Sequence, residues 1–284
     1  MRVSETHDIR LDDGRTARVH DTGFASAVPL IWHHGSPQTG ALLEPLVGAA
    51  TDRGIRLLSY GRPSYGGSSP LPGRNVASAA SDVADIADAL GIDRFAVMGA
   101  SGGGPHALAC AALLPERVFA VALLACIAPS DAEGLDFLAG MASDGASLRA
   151  AMAGRRAREL HEETAEFDPE SFVSRDYAAL EGNWSSLGDD VGLAAAAGAD
   201  GLIDDDLAFV MPWGFDVAGI AAPVLVVQGG LDRVVPPAHG DWLAGRIDGA
   251  ELWARPDDGH ISVLDACPAA MDWILAMSES GSIR

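Results

Sequence analysis

The stretch at residues 95–108, Phe-Ala-Val-Met-Gly-Ala-Ser-Gly-Gly-Gly-Pro-His-Ala-Leu, constrains the fold more than any other part of the chain. An apolar, strand-like run enters a glycine-flanked serine and leaves as an alanine-rich helix. In a G-x-S-x-G turn the serine is driven into a strained backbone conformation, so the positions two residues to either side must lack bulk, as Gly99 and Gly103 do. Such a turn lifts Ser101 Oγ clear of the sheet. Pro105 suits the first turn of the helix, where its missing N–H has no intrahelical partner to lose. The helix start aims unpaired N–H groups and a positive dipole end at the serine's surroundings. A glycine-rich turn also suits a packing corner or a phosphate cradle. The strand before it and the helix after it select the reading in which Ser101 carries chemistry.

Around this turn the chain alternates. Residues 7–11 and 16–21 flank the turn Asp12-Asp13-Gly14-Arg15 and predict an antiparallel hairpin. Residues 28–33 form a continuous apolar run, expected of a strand buried on both faces, and end in His34-Gly35-Ser36-Pro37. Residues 39–52 read as a helix, 55–60 as a strand and 62–72 as a Gly/Pro/Ser loop. Asn75 can cap a helix running to Leu90, with Val83, Ile86, Ala87 and Leu90 at helical spacing. A strand follows at 118–127. Strands alternating with helices imply an α/β fold with a mostly parallel sheet covered on both faces, and in such sheets sites lie at the carboxyl ends of the strands.

From Pro129 the pattern changes. Helical stretches at 148–164 and 171–180 follow one another with no convincing strand between them, which predicts an inserted helical section at 129–215 within a core made of 1–128 and 216–284. The sheet resumes at 223–229 and ends in Gly230-Leu231-Asp232-Arg233. A helix at 239–247, a strand at 250–254, the turn Pro256-Asp257-Asp258-Gly259-His260 and a helix at 265–277 complete the pattern.

Composition narrows the function classes. Of the 284 residues, 48% are hydrophobic, ample for a sizeable core, and the formal charge of −21 disfavours nucleic acid and anionic membrane surfaces as partners. The chain contains no lysine, and the acid excess reads as a solubilising surface. Residues 1–13 hold no apolar run of signal-peptide length and no stretch reaches the length of a membrane span, so a cytoplasmic protein is expected. Cys110, Cys126 and Cys267 lack metal-ligand spacing and sit in apolar contexts, as buried thiols do.

Chemistry at a neutral serine needs a base, a carboxylate to orient that base, and donors for an oxyanion. His260, in a glycine-containing turn after the last strand, suits the base; Asp232, at the end of the preceding strand, suits the carboxylate. The order Ser101, Asp232, His260 is that of the α/β-hydrolase triad. His7, His20, His106, His161 and His239 lack such a context. Asp131, after the strand at 118–127, is the alternative acid.

Here the chain resembles the α/β-hydrolase superfamily, in the branch with a helical cap between the sixth and seventh core strands. The resemblance covers residues 19–277 and is weakest in the cap. The family's H-G-x-P turn stands as His34-Gly35-Ser36-Pro37, its R-P-G-Y-G-x-S loop as Arg62-Pro63-Ser64-Tyr65-Gly66-Gly67-Ser68, and its acid-bearing G-x-x-D-x-x-x-P is matched by Gly230-Leu231-Asp232-Arg233-Val234-Val235-Pro236. It implies an oxyanion hole made by the N–H groups of Ser36 and Gly102, with His34 and Gly35 shaping the turn. Epoxide hydrolases and haloalkane dehalogenases of this superfamily use an aspartate at the elbow, because an alkyl-aspartyl ester can be hydrolysed and an alkyl-serine ether cannot. Serine at position 101 points instead to acyl transfer.

Hydrolysis of small or medium apolar carboxylic esters is the leading expectation, with proline-iminopeptidase-like amide hydrolysis and C–C bond hydrolysis as alternatives on the same triad. A ligand receptor that retains the fold without turnover is the alternative of another class. No metal or other cofactor is implied, the oligomeric state is left open, and the partner expected is a small-molecule ester or amide. Cap residues Trp184, Phe209, Met211 and Trp213, with Leu187, Leu202 and Ile203, predict an apolar pocket with few polar handles. Glu162, Glu163 and Glu166 could meet a substrate ammonium but read first as a solvated helix face.

Overall fold

In a computed structural model, which describes residues 4–23 and 27–280, the chain forms an eight-stranded sheet in the order β1-β2-β4-β3-β5-β6-β7-β8. The outermost residues of the expected core, 1–3 and 281–284, lie outside the described residues. The strands are β1 (Glu5–Arg10), β2 (Thr16–Asp21), β3 (Val28–His33), β4 (Ile55–Tyr60), β5 (Phe95–Ala100), β6 (Val118–Leu124), β7 (Val224–Gly229) and β8 (Glu251–Arg255). The β1–β2 and β2–β4 pairings are antiparallel and the others parallel, with Ile31 opposite Val97 and Met98 opposite Ala122 in the centre.

Period-two burial explains why these segments read as unbroken apolar runs. Ile31, Val97, Val121, Leu123 and Val226 enter one apolar cluster, while their neighbours Trp32, Met98, Ala122, Leu124 and Val227 enter another. Each cluster is one face of the sheet. The first is covered by α2 (Ser78–Ala89), α3 (Gly103–Leu113) and α9 (Pro237–Arg246), through Val83, Ile86, Leu108 and Leu243. The second is covered by α1 (Glu44–Asp52) and α10 (Cys267–Ser280), through Leu46, Ala50, Met271 and Ile274. All three cysteines are free and buried, and burial pushes each thiol pKa up.

Some boundaries differ from expectation for identifiable reasons. The helix expected from residue 39 begins at Glu44, because Gly40 takes a φ of +89° and Thr39 is held by Asp190 through its N–H and hydroxyl. Ala125, at φ +49°, ends β6 short of residue 127. The stretch at 148–164 is two helices, α4 (Ala146–Met152) and α5 (Arg155–Glu162), separated at Gly154 with φ +98°. After them come α6 (Ser174–Glu181), α7 (Ser185–Ala197) and α8 (Asp200–Val210), all between β6 and β7.

The helical section is tied to the sheet by a buried charge cluster centred on Asp205 of α8. Asp205 Oδ2 accepts from Arg62 Nη2 at 2.7 Å, Tyr65 Oη at 2.9 Å and Ser36 Oγ at 2.5 Å, and its Oδ1 accepts from Arg74 Nη2 at 2.5 Å. Burial alone would raise the Asp205 pKa, but the two guanidiniums hold it well below the carboxylate range. The acid excess is therefore not a surface feature throughout: Asp82, Asp176, Asp190, Asp204, Asp205, Asp206, Asp232 and Asp258 are all buried. Removing one partner of such a cluster strands the others without water. Asp205→Ala should lower unfolding stability by about 3–5 kcal/mol in chemical denaturation; a loss below about 1 kcal/mol, the scale of a surface pair, would contradict this account.

Candidate active site

The residues singled out at four strand ends converge. Ser101 follows β5 directly and holds a φ of +52°, in the left-handed region that ordinary side chains avoid. Its N–H donates to Leu124 O at 2.8 Å and its carbonyl accepts from Gly104 N at 3.0 Å, so the strained residue is bonded on both sides. A Cβ at position 99 would sit 2.6 Å from the Gly103 carbonyl oxygen, and one at position 103 would strike the carbonyl of His33. Both glycines are therefore required by backbone contact.

His260 Nε2 lies 3.0 Å from Ser101 Oγ, and His260 Nδ1 lies 2.8 Å from Asp232 Oδ2. With the ring proton on Nδ1, directed at the carboxylate, Nε2 is left to accept the serine proton. Asp232 is itself fixed, since its Oδ1 accepts from the N–H groups of Val234 and Val235 at 2.9 Å each. The turns after β7 and β8 are also bonded to each other, Leu231 N donating to Asp258 O at 2.9 Å. Asp131, the alternative acid, is exposed in a surface groove with Trp213 and Trp242, away from His260. Burial lowers the basicity of His260, but the charge of Asp232, its hydrogen bond and the charge of Asp176 outweigh burial, and the net pKa is raised.

Ser36 and Gly102 face each other: a Cβ on Gly102 would fall 2.5 Å from Ser36 Oγ. Among the described residues, neither the Ser36 N–H nor the Gly102 N–H has a hydrogen-bond acceptor in the protein. His34 is fully buried, donates from Nδ1 to Gly35 O at 2.7 Å and accepts at Nε2 from Arg62 N at 3.2 Å. Burial, then the neighbouring Arg62 charge, push its pKa well down, so the ring is neutral and braces the turn. The Ser36 side chain, bonded to both Asp205 and Arg62, links that turn to the helical section.

A cavity of about 650 Å³ opens over Ser101, Gly102 and Ser36. Phe209 lines it together with Ile127, Met141, Leu148, Leu202 and Val235. The other three expected pocket residues lie elsewhere. Trp184 is drawn away by donating Nε1 to Asp265 Oδ1 at 2.9 Å and packs on the α1/α10 face. Trp213 is buried behind α8, donating to Phe209 O at 3.3 Å, and Met211 is 48% exposed beyond the end of α8. The expectation of few polar handles is overturned, because Arg158, His161, Glu162, Glu166 and Asp206 line the same cavity. Arg158 donates to Asp206 Oδ2 at 2.6 Å and to Glu162 Oε2 at 2.8 Å. Burial raises the Asp206 pKa to about 6 against the pull of Arg158.

The sequence model of the α/β-hydrolase fold matches residues 28–266. The chain belongs to the α/β-hydrolase fold family. It is similar to the dihydrolipoyllysine-residue acetyltransferase component of the acetoin cleaving system of Cupriavidus necator, at 31% identity over 224 residues. That match covers 78% of the chain but only 55% of the relative, so the chain spans about half of that protein. It is also similar to a 2-hydroxy-6-oxononadienedioate/2-hydroxy-6-oxononatrienedioate hydrolase of Klebsiella pneumoniae, at 27% identity over 88% of the chain and 86% of the relative. A solved hydrolase structure from Pseudomonas aeruginosa superposes with a TM-score of 0.73 at 24% identity, covering 96% of this chain and 98% of the other, a likeness of fold. As in any α/β-hydrolase fold, the site sits at the carboxyl ends of the parallel strands. Among the described residues no group of three or more His, Cys, Asp or Glu is arranged to hold a metal ion, and no helix is long and apolar enough to cross a membrane.

Because only neutral imidazole can accept a proton, activity that depends on His260 should be lost as pH falls through its raised pKa. On a non-ionising substrate the acid limb of kcat/KM should lie above the ordinary histidine value of 6.5. Asp232→Asn should move that limb to lower pH while cutting the rate, since burial then dominates. An unmoved limb in that variant would remove Asp232 from the assignment.

Proposed function

We propose that the protein is a serine hydrolase cleaving carboxylic esters through an acyl-enzyme, with Ser101 as nucleophile, His260 as base and Asp232 as its orienting acid. The observation that carries the reading is the unbroken chain of contacts from Asp232 through His260 to Ser101, at 2.8 and 3.0 Å, ending at the floor of a cavity. Ser101 Oγ attacks the ester carbonyl as its proton passes to His260 Nε2. The oxyanion takes hydrogen bonds from the N–H groups of Ser36 and Gly102. Collapse breaks the C–O bond, and the imidazolium returns its proton to the departing alkoxide. Water, deprotonated by His260, then attacks the acyl-enzyme and frees the acid and Ser101.

Residues 129–215 act in this reading as the cap that selects substrates. Its apolar wall, Leu148, Leu202 and Phe209, suits an acyl or alcohol chain, and the charged wall around Arg158 suits a polar end. A second reading rests on Glu162 and Glu166, which line this cavity and could hold a substrate ammonium, favouring an amino-terminal amide. C–C bond hydrolysis on the same triad draws support from the Klebsiella pneumoniae relative.

Matched ester and amide substrates, with and without a free amine, separate these readings. Neutral esters should turn over steadily, and Ser101→Ala should fold normally yet lose on the order of 10⁴-fold or more in kcat. Efficient cleavage of amino-terminal amides with neutral esters ignored would move the assignment to the second reading. Ester hydrolysis surviving in Ser101→Ala would overturn the nucleophile.

A further inference from the structure

We propose that Asp176, on α6 of the helical section, is a positioning residue for His260. The inference rests on the reading of His260 as the base. Asp176 has no exposed surface and lies 84 residues from His260 in sequence. Its Oδ2 accepts from His260 N at 3.2 Å and from Val173 N at 3.1 Å. Its Oδ1 accepts from Ile261 N at 2.9 Å, Ser262 N at 2.8 Å and Ser262 Oγ at 2.8 Å. Ser262 Oγ in turn accepts from Gly259 N at 2.8 Å. One carboxylate therefore holds the backbone on the carboxyl side of the histidine, and through Ser262 the residue before it.

Among the described residues no arginine is paired with Asp176; five N–H and O–H donors satisfy its oxygens instead, which suits a carboxylate buried among backbone amides. The fit is close, because a Cβ at Gly259 would collide with the carboxylate. The imidazole is thus constrained at two points on different elements: Asp232, after β7, fixes the ring through Nδ1, and Asp176 fixes the main chain that carries it. A shift of the turn by a fraction of an ångström would change the distance from Nε2 to Ser101 Oγ, to which proton transfer is steeply sensitive. The helical section does more than roof the cavity, since part of the base's support comes from it.

Among the described residues, the charged groups facing this turn are Asp232 from the loop after β7, Asp176 from α6, and Asp258, which is paired with Arg175 of α6 and Arg255 of β8. Asp176→Asn removes one of these charges and turns an acceptor into a donor opposite the turn's N–H groups. Per active site, counted with a fluorophosphonate probe, kcat on a short neutral ester should fall on the order of 10- to 100-fold with KM little changed. The His260 ring, followed by NMR titration, should titrate at lower pH than in the unaltered protein, and the acid limb of the rate should move with it. A variant with unchanged kcat per titrated site and an unmoved His260 titration would overturn the proposal. The ring titration does not depend on turnover: a shift in a protein that neither cleaves esters nor reacts with the probe would retain Asp176 as a positioning residue and reject the esterase reading instead. Should Asp176→Asn fail to fold, Ser262→Ala decides, keeping the carboxylate while deleting one donor and the acceptor of Gly259 N–H. A several-fold loss in kcat at constant KM supports the proposal, and wild-type kcat overturns it.

Discussion

The positive φ of Ser101 persists because β5 and α3 approach each other so closely that no other course is open to the backbone. Only Ser101 and Gly102 separate the strand from the helix; a Cβ on Gly99 would meet the Gly103 carbonyl, and one on Gly103 would meet the carbonyls of His33 and His34 at the end of β3. Two main-chain hydrogen bonds, to Leu124 and from Gly104, hold the strained residue in place. Strain of this kind survives only where surrounding structure over-determines it, and a fully buried parallel strand against a helix buried from Gly103 to Ala111 supplies that surrounding. The same tight turn leaves the Gly102 N–H unpaired beside Ser36 and aims Ser101 Oγ at His260.

Buried carboxylates complete what the turn begins. Asp232 faces the imidazole, Asp176 gathers the N–H groups of the His260 turn, and Asp205 joins Arg62 and Arg74 while holding Ser36. Two of the three belong to the helical section between β6 and β7. Each is matched by donors or guanidiniums, as the high cost of an unmatched buried charge demands. The core supplies Ser101, His260 and Asp232, and the helical section supplies carboxylates that hold the His260 turn and the Ser36 turn.

The parts legible in the sequence are those with local causes. A strand buried on both faces must be apolar along its length, so β3, β5 and β7 stand out as unbroken runs, and Gly99 is required by a contact with Gly103 four residues on, although Gly103 itself is pressed by the His33 carbonyl from β3. Helix ends were less legible where tertiary bonds or single glycines intervened, as at Gly40 and Gly154. Long-range pairing of charges was hard to read: Asp205 lies 143 residues from Arg62, and nothing local names its partners. One signal was present. Successive helical residues point 100° apart, so Asp204-Asp205-Asp206 sweeps too wide an arc for all three acids to share one solvated face beside buried Ile203, Ala208 and Phe209. The cap aromatics misled for the opposite reason, because Trp184 and Trp213 were needed for packing, while charged side chains on α5 and α8 took places on the cavity wall.

If Ser101 is the nucleophile, an acyl group resides on it during turnover. Rapid quenching of the protein with an activated ester, followed by intact-mass and peptide mass spectrometry, tests it directly. The expected result is a transient mass increase of one acyl group, located on the peptide that contains Ser101, disappearing as substrate is exhausted. Turnover at the same rate with the acyl group found on another residue would contradict it.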